Sequence, residues 1–142
     1  MKQIKIPNRL SRYAVWLSAL CFTASLLLPA YTIDYYGTLK PEFGFSAFLL
    51  GPIGLFAGHF SWLANLFLFF SWSKRTGPRS QEAVALAVVG LLIAVTFLVP
   101  ENIAYGSAGE FSYTAAMGYY TWLASIGLAA IAAYLYREPA PV

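Results

Sequence analysis

Four apolar runs, at about residues 13 to 30, 45 to 72, 81 to 100 and 114 to 136, leave this chain little freedom in what it can become. Each is long enough, at about 1.5 Å per residue, to cross a hydrocarbon core of roughly 30 Å as a helix. Soluble domains carry roughly 25% charged residues; this chain of 142 residues carries 11%, with 59% hydrophobic. No water-soluble core of that size could hide so much apolar surface. The expected fold is therefore all-α, a polytopic membrane protein with four transmembrane helices in a compact bundle. It is read as one transmembrane domain over residues 1–142, with spans at about 13–30, 52–72, 81–100 and 114–136.

The second run exceeds one upright helix. Gly51-Pro52 is read as its helix start, since proline is tolerated at a first helical position, and Phe45 to Leu50 as an interfacial or re-entrant piece. Pro29 and Pro100 close the first and third spans, because the residue before proline avoids the helical region. The basic amino end raises the question of a cleavable signal peptide. The run that follows it is of spanning length and Leu28 to Thr32 offers no small-x-small cleavage site, so it is read as a span.

Lys2, Lys5, Arg9 and Arg12 precede the first span, Lys74, Arg75 and Arg79 separate the second and third, and Arg137 follows the fourth. Eight of the nine basic residues thus fall on one side, and four of the six acids, Asp34, Glu42, Glu101 and Glu110, on the other. The positive-inside rule makes the basic side, with both termini, cytoplasmic.

Every span carries small or polar residues at helical spacing: Ala14, Ser18, Cys21 and Ser25; Gly51, Gly54, Gly58, Ser61 and Asn65; Ala83, Ala87, Gly90 and Ala94; Thr114, Gly118, Ser125, Ala129 and Ala132. These stripes are expected to face one another, because helices in lipid associate through close approach and hydrogen bonds. Gly54 to Gly58 is a GxxxG, and Phe56, Phe60, Leu63, Phe67 and Phe70 form the opposite face of a continuous second helix. Cys21, the one cysteine, excludes an intramolecular disulfide.

Gly58-His59-Phe60-Ser61-Trp62-Leu63-Ala64-Asn65 recurs sixty residues later as Gly118-Tyr119-Tyr120-Thr121-Trp122-Leu123-Ala124-Ser125. Two readings of this echo stand: two helical hairpins related by duplication, or convergence on one packing pattern. The first and third spans match only loosely, and Pro29 and Pro100 are offset by 71 residues rather than 60.

His59 is the one clearly ionisable residue inside a span, which makes it a functional candidate. No second histidine or intraspan acid accompanies it, so a neutral imidazole bonded to a hydroxyl or carbonyl is expected, and no metal or cofactor. Asn65, Trp62, Trp122 and Ser125 are expected to form a polar packing cluster with it. The amide of Asn65 must find partners, and the two mid-span indoles need buried acceptors. Trp16 and Trp72 read as interface-belt residues. Gly54, Gly58 and Gly118 are the close-approach positions, and Asp34, Glu42 and Glu110 the outer-loop candidates.

Gly44 to Gly51 (GFSAFLLG), Trp62 to Asn65 and Gly118 to Ser125 together resemble a pattern in small bacterial four-span membrane proteins of uncharacterised function. Where that pattern has proline after the asparagine, this chain has Leu66. The resemblance implies a bacterial inner-membrane location and no particular activity. The functional expectation is a non-enzymatic scaffold, accessory or immunity-type partner of another membrane protein, or a self-associating one, in the lipid bilayer and without nucleic acid. A transporter or channel with a polar path near His59, Asn65 and Ser125 is the alternative.

Overall fold

The computed structural model describes residues 9–75, 80–99, 102–104 and 109–136. In chain order it contains α1 (Arg9–Leu27), β1 (Pro29–Tyr35), β2 (Thr38–Phe43), α2 (Gly44–Gly54), 3-10 turns at Leu55–Ala57 and Phe60–Leu63, and α3 (Ala64–Lys74). It continues with α4 (Ser80–Val95), a 3-10 turn at Thr96–Leu98, β3 (Asn102–Ala104), β4 (Glu110–Ala115) and α5 (Met117–Leu135). Lys2, Lys5, Arg79, Pro100, Glu101, Tyr105 and Arg137 lie outside the described residues. Three helical stretches, Arg9–Leu27, Ser80–Leu98 and Met117–Leu135, are long and apolar enough to cross a membrane.

Small residues set the helix contacts. Ser11, Ser18 and Ser25 recur every seven residues, two helical turns, and all three are buried. Ser11 Oγ donates to Ala132 O at 2.8 Å and Ser18 Oγ to Ser125 O at 2.7 Å, so α1 and α5 lie antiparallel. Along α4 the stripe Ala83, Ala87, Gly90 and Ala94 is buried throughout. Ser71 Oγ reaches Ala83 O at 2.8 Å, while a Cβ added at Gly90 would stand 3.0 Å from Phe67 Cβ and 3.5 Å from Ala64 O. Those contacts make α3 and α4 antiparallel too. Ala64, Leu68, Ala87, Ala94, Ile126 and Ala129 form the common core.

The surface is the reverse of a soluble protein's. Leu20, Leu27, Ile53 and Phe56 are exposed, Phe56 at 95%, while most of the buried residues are alanine and serine. Water would penalise that arrangement heavily, whereas acyl chains accept it.

Two expectations are corrected. The second run is no single helix over 52–72, because α2 ends at Gly54, Gly58 takes a φ of 83°, and His59 is extended before the chain re-enters a helical turn at Phe60. Gly51-Pro52 lies inside α2 and does not start a helix. The Gly54–Gly58 motif and the face of Phe56, Phe60, Leu63, Phe67 and Phe70 therefore have no continuous helix to sit on, and nothing lies within 4 Å of a Cβ built at Gly58. The fold is also not all-α. The outer connections form a four-stranded sheet in the order β2-β1-β4-β3, all neighbours antiparallel.

The strands follow from alternation. Tyr31, Ile33 and Tyr35 on β1 share a face with Phe111 and Tyr113 on β4, while Ser112 and Thr114 point outward and are exposed. Thr114, expected on the fourth span, is thus a strand residue. Between β1 and β2, Tyr36 (φ 51°) and Gly37 (φ 81°) make a two-residue turn of the mirror-image kind that suits strand twist. The aromatic face stacks on the bundle through Phe97, whose ring lies 5.5 Å from Tyr31, 4.7 Å from Tyr113 and 5.1 Å from Tyr119.

Gly118 is where the sheet end meets α5. A Cβ there would stand 2.7 Å from Pro29 O and 2.8 Å from Leu28 O, both backbone atoms, whereas Gly127 has nothing within 4 Å. Gly118→Ala is expected to lower the melting temperature in detergent, at a cost of about 1–3 kcal/mol, while Gly127→Ala leaves it unchanged or raises it. Equal melting of the two variants would contradict this packing.

Candidate functional site

Proline lacks an amide hydrogen, so Pro52 deprives Phe48 O, four residues earlier, of its helical donor. In this structure the indole Nε1 of Trp62 supplies that bond, at 2.8 Å. Gly51 clears the space. A Cβ there would lie 1.9 Å from Trp62 Cδ1. Gly51-Pro52 is therefore a socket for Trp62, and the turn around Gly58 and His59, closed by His59 N–H donating to Gly54 O at 2.9 Å, folds the chain back so that the socket is filled.

Trp62 is the first link of a chain of hydrogen bonds. Asn65 Nδ2 donates to Trp62 O at 3.0 Å, and Trp122 Nε1 donates to Asn65 Oδ1 at 2.9 Å. One level deeper, Ser125 Oγ donates to Trp122 O at 2.8 Å. Ser125 O in turn accepts from Ser18 Oγ, which also accepts from Trp72 Nε1 at 3.0 Å. Both mid-span indoles thus find acceptors. Trp72 joins this network as well, its ring half-buried and edge-on to Phe22 at 5.8 Å. Trp16 stays 72% exposed.

Above this network lies a cavity of about 680 Å³. Its floor includes Phe22, Asn65 and Trp122, its roof is α2, and its far wall is Phe97 with Gly118 and Tyr119. Tyr119 is held there by its hydroxyl, which donates to Ala94 O at 3.0 Å. His59 and Glu42 line opposite ends of the roof, separated by the length of α2, about 16 Å. Ser46 Oγ lies 3.2 Å from Glu42 Oε2. The imidazole of His59 is half-buried and hydrogen-bonds to no described residue.

The expected cluster is thus assembled in part. Asn65, Trp62 and Trp122 share the cavity wall, Ser125 lies fully buried below it, and His59 sits apart at the rim. Asp34 and Glu42 do not converge. The pairings Asp34↔Leu39 and Tyr31↔Glu42 put them three rungs apart, about 10 Å, and on opposite faces of the sheet. Asp34 Oδ1 accepts the Gly37 N–H at 2.8 Å and serves the turn. Glu110 begins β4, and its side chain lies outside the described residues. Burial raises the Tyr113 pKa, keeping its hydroxyl protonated and donating to Phe97 O. Among the described residues no three His, Cys, Asp or Glu side chains come together as metal ligands.

Phe48 and Phe97 were not singled out from sequence, and Tyr119 entered only as the counterpart of His59 in the echo. Pro52 within an apolar helix announces an orphan carbonyl at Phe48, but nothing local says which donor fills it.

No known protein family, curated protein or solved structure matches this chain.

Removing one partner of the Trp122–Asn65 bond leaves the other buried and unsatisfied, at about 1–3 kcal/mol. Asn65→Leu and Trp122→Phe are each expected to destabilise the protein, and the double variant to lose less than the sum. Strict additivity in a double-mutant cycle of detergent unfolding would show that the bond contributes nothing.

Proposed function

We propose that this chain is a non-enzymatic accessory protein of a bacterial inner membrane that holds an amphiphilic small molecule in the cavity beneath α2. The cavity carries the reading. Its volume falls within the range of small-molecule sites, its walls are chiefly apolar with a few polar groups, and its lining residues all belong to the sheet end of the bundle. Below Trp122 and Asn65 the interior is filled by Leu68, Ala87, Ile126 and Ala129, which favours holding over conduction. An amphiphile suits the combination of apolar walls and the imidazole of His59, which hydrogen-bonds to no described residue, at one end.

Four crossings complete the proposal: α1, the 3-10 turn at Phe60–Leu63 continued by α3, α4 and α5. The second is about 24 Å long, shorter than α1, α5 and α4 extended by its 3-10 turn at Thr96–Leu98, and α2 lies beside it as a re-entrant piece. Arg9, Arg12, Lys74 and Arg75 stand at the end away from the sheet, which makes that end cytoplasmic and puts the sheet outside. The exposed apolar side of α2, with Phe45, Leu49 and Ile53, and Phe56 in the turn that follows it, favours a second reading in which a membrane partner, or a second copy, covers this face.

An anthroyloxy-labelled fatty acid is expected to bind the purified protein saturably, and Ala47→Phe, which fills the cavity, to weaken it on the order of tenfold without loss of melting temperature. Unchanged affinity in that variant would remove the cavity from the account. Constant recovery of a stoichiometric partner on α2 in place of the probe would favour the second reading.

The orientation has its own test. A reporter fused after Val142 is expected to behave as cytoplasmic, and activity of a periplasm-only reporter there would overturn the topology.

A further inference from the structure

At the end of the bundle away from the sheet, a second cavity of about 430 Å³ opens between α1 and the end of α3. It is lined by Arg12, Val15, Trp16, Ala19, Trp72 and Arg75. Arg12 lies in the first turn of α1, where the exposed N–H groups already make the pole positive, so it adds cation to cation. Arg75 directly follows α3 and is half-buried. Neither guanidinium is ion-paired to a described residue, whereas Lys74 at this end pairs with Glu82 at 2.9 Å. Two cations facing one cavity repel each other and gain most from a shared anion.

The rest of the lining is apolar. Trp72 is locked by its bond to Ser18 Oγ and by the edge of Phe22, so the floor is preformed. Trp16 stands on the outer rim, and Leu20, one helical turn further along α1, continues an exposed apolar track toward the middle of the bundle. A free inorganic anion would use only the two guanidiniums. A phosphate carrying acyl chains would use the cations, the indoles and the track together. Arginine suits the phosphate because its planar fork offers paired donors.

We propose that this cavity binds the phosphodiester headgroup of an anionic phospholipid, with the phosphate between Arg12 and Arg75 and an acyl chain along Trp16 and Trp72. The site is separate from the cavity beneath α2 and does not depend on what fills it.

The test titrates full-length protein in neutral detergent with phosphatidylglycerol, phosphatidylcholine or inorganic phosphate, and counts retained lipid by native mass spectrometry. One phosphatidylglycerol per chain is expected to be held in preference to phosphatidylcholine, and inorganic phosphate not to displace it. R12Q and R75Q should each weaken retention about tenfold. K74Q removes the same charge at the same end but outside the cavity, and should leave retention unchanged. Melting without lipid identifies any variant that is merely misfolded; for such a variant, R12K or R75K replaces it, and retention should again fall because the fork is lost. An equal loss in K74Q, or equal retention of phosphatidylcholine, would reduce the site to a diffuse positive field and overturn the proposal. Full displacement by inorganic phosphate would overturn the lipid assignment.

Discussion

Helices surrounded by acyl chains gain nothing by exchanging lipid for one another's leucines, so what holds them is close approach and hydrogen bonds. This chain meets that constraint with residues that would be undistinguished in water. Ser11, Ser18 and Ser25 put three short hydroxyls on one line of α1, and two of them reach backbone carbonyls of α5. Ala83, Ala87, Gly90 and Ala94 give α4 a flat side against which α3 and α5 settle. Among the described residues, no buried side-chain nitrogen or oxygen lacks a partner. That completeness is needed where an unmet polar group would cost several kcal/mol.

The helix that does not follow this pattern is α2. It has no buried residue, and what fixes it is the socket at Gly51-Pro52 that receives Trp62. Its presence also bears on the internal echo. The two halves share an order of helix, two strands, helix, and α2 is additional in the first. The offset between halves is 71 residues at Pro29 and Pro100 and 60 at Gly58 and Gly118, a difference equal to the eleven residues of α2. In space the halves are not equivalent, since β1 pairs with β4 whereas their counterparts, β3 and β2, do not meet. Gly58 begins in a left-handed turn, while Gly118 lies within the first turn of α5.

How much of this could be read from the residues divides along physical lines. The stripes on α4 and α5 were legible because burial of small residues repeats at the helical period, a local signal. So was the need of Trp62, Trp122 and Asn65 for buried partners, since desolvation is costly wherever the side chain ends up. The sheet was hidden by length: β1 and β4 are short, and Thr114-Ala115 reads as the beginning of the next apolar run. Its signals were nonetheless present, in the alternation of Tyr31, Ile33 and Tyr35, in Tyr36-Gly37, and in Phe111 and Tyr113. The break at Gly58 was not legible, because continuous apolarity cannot distinguish one long helix from two pieces folded back to back. Nor was the cavity, which depends on where α2 comes to rest.

Ser18 bears on how such a chain comes together. Its hydroxyl gives its hydrogen to α5 and receives one from Trp72 on α3, so one oxygen atom belongs to three helices at once. Helices that have individually entered a bilayer still have to find their neighbours. When Ser18 donates to Ser125 O its lone pairs are oriented to take the indole, so the pairing of α1 with α5 prepares an acceptor for α3. A single serine thus ties the seating of α3 to the pairing of the two longest helices, so a change at position 18 is felt at both contacts at once.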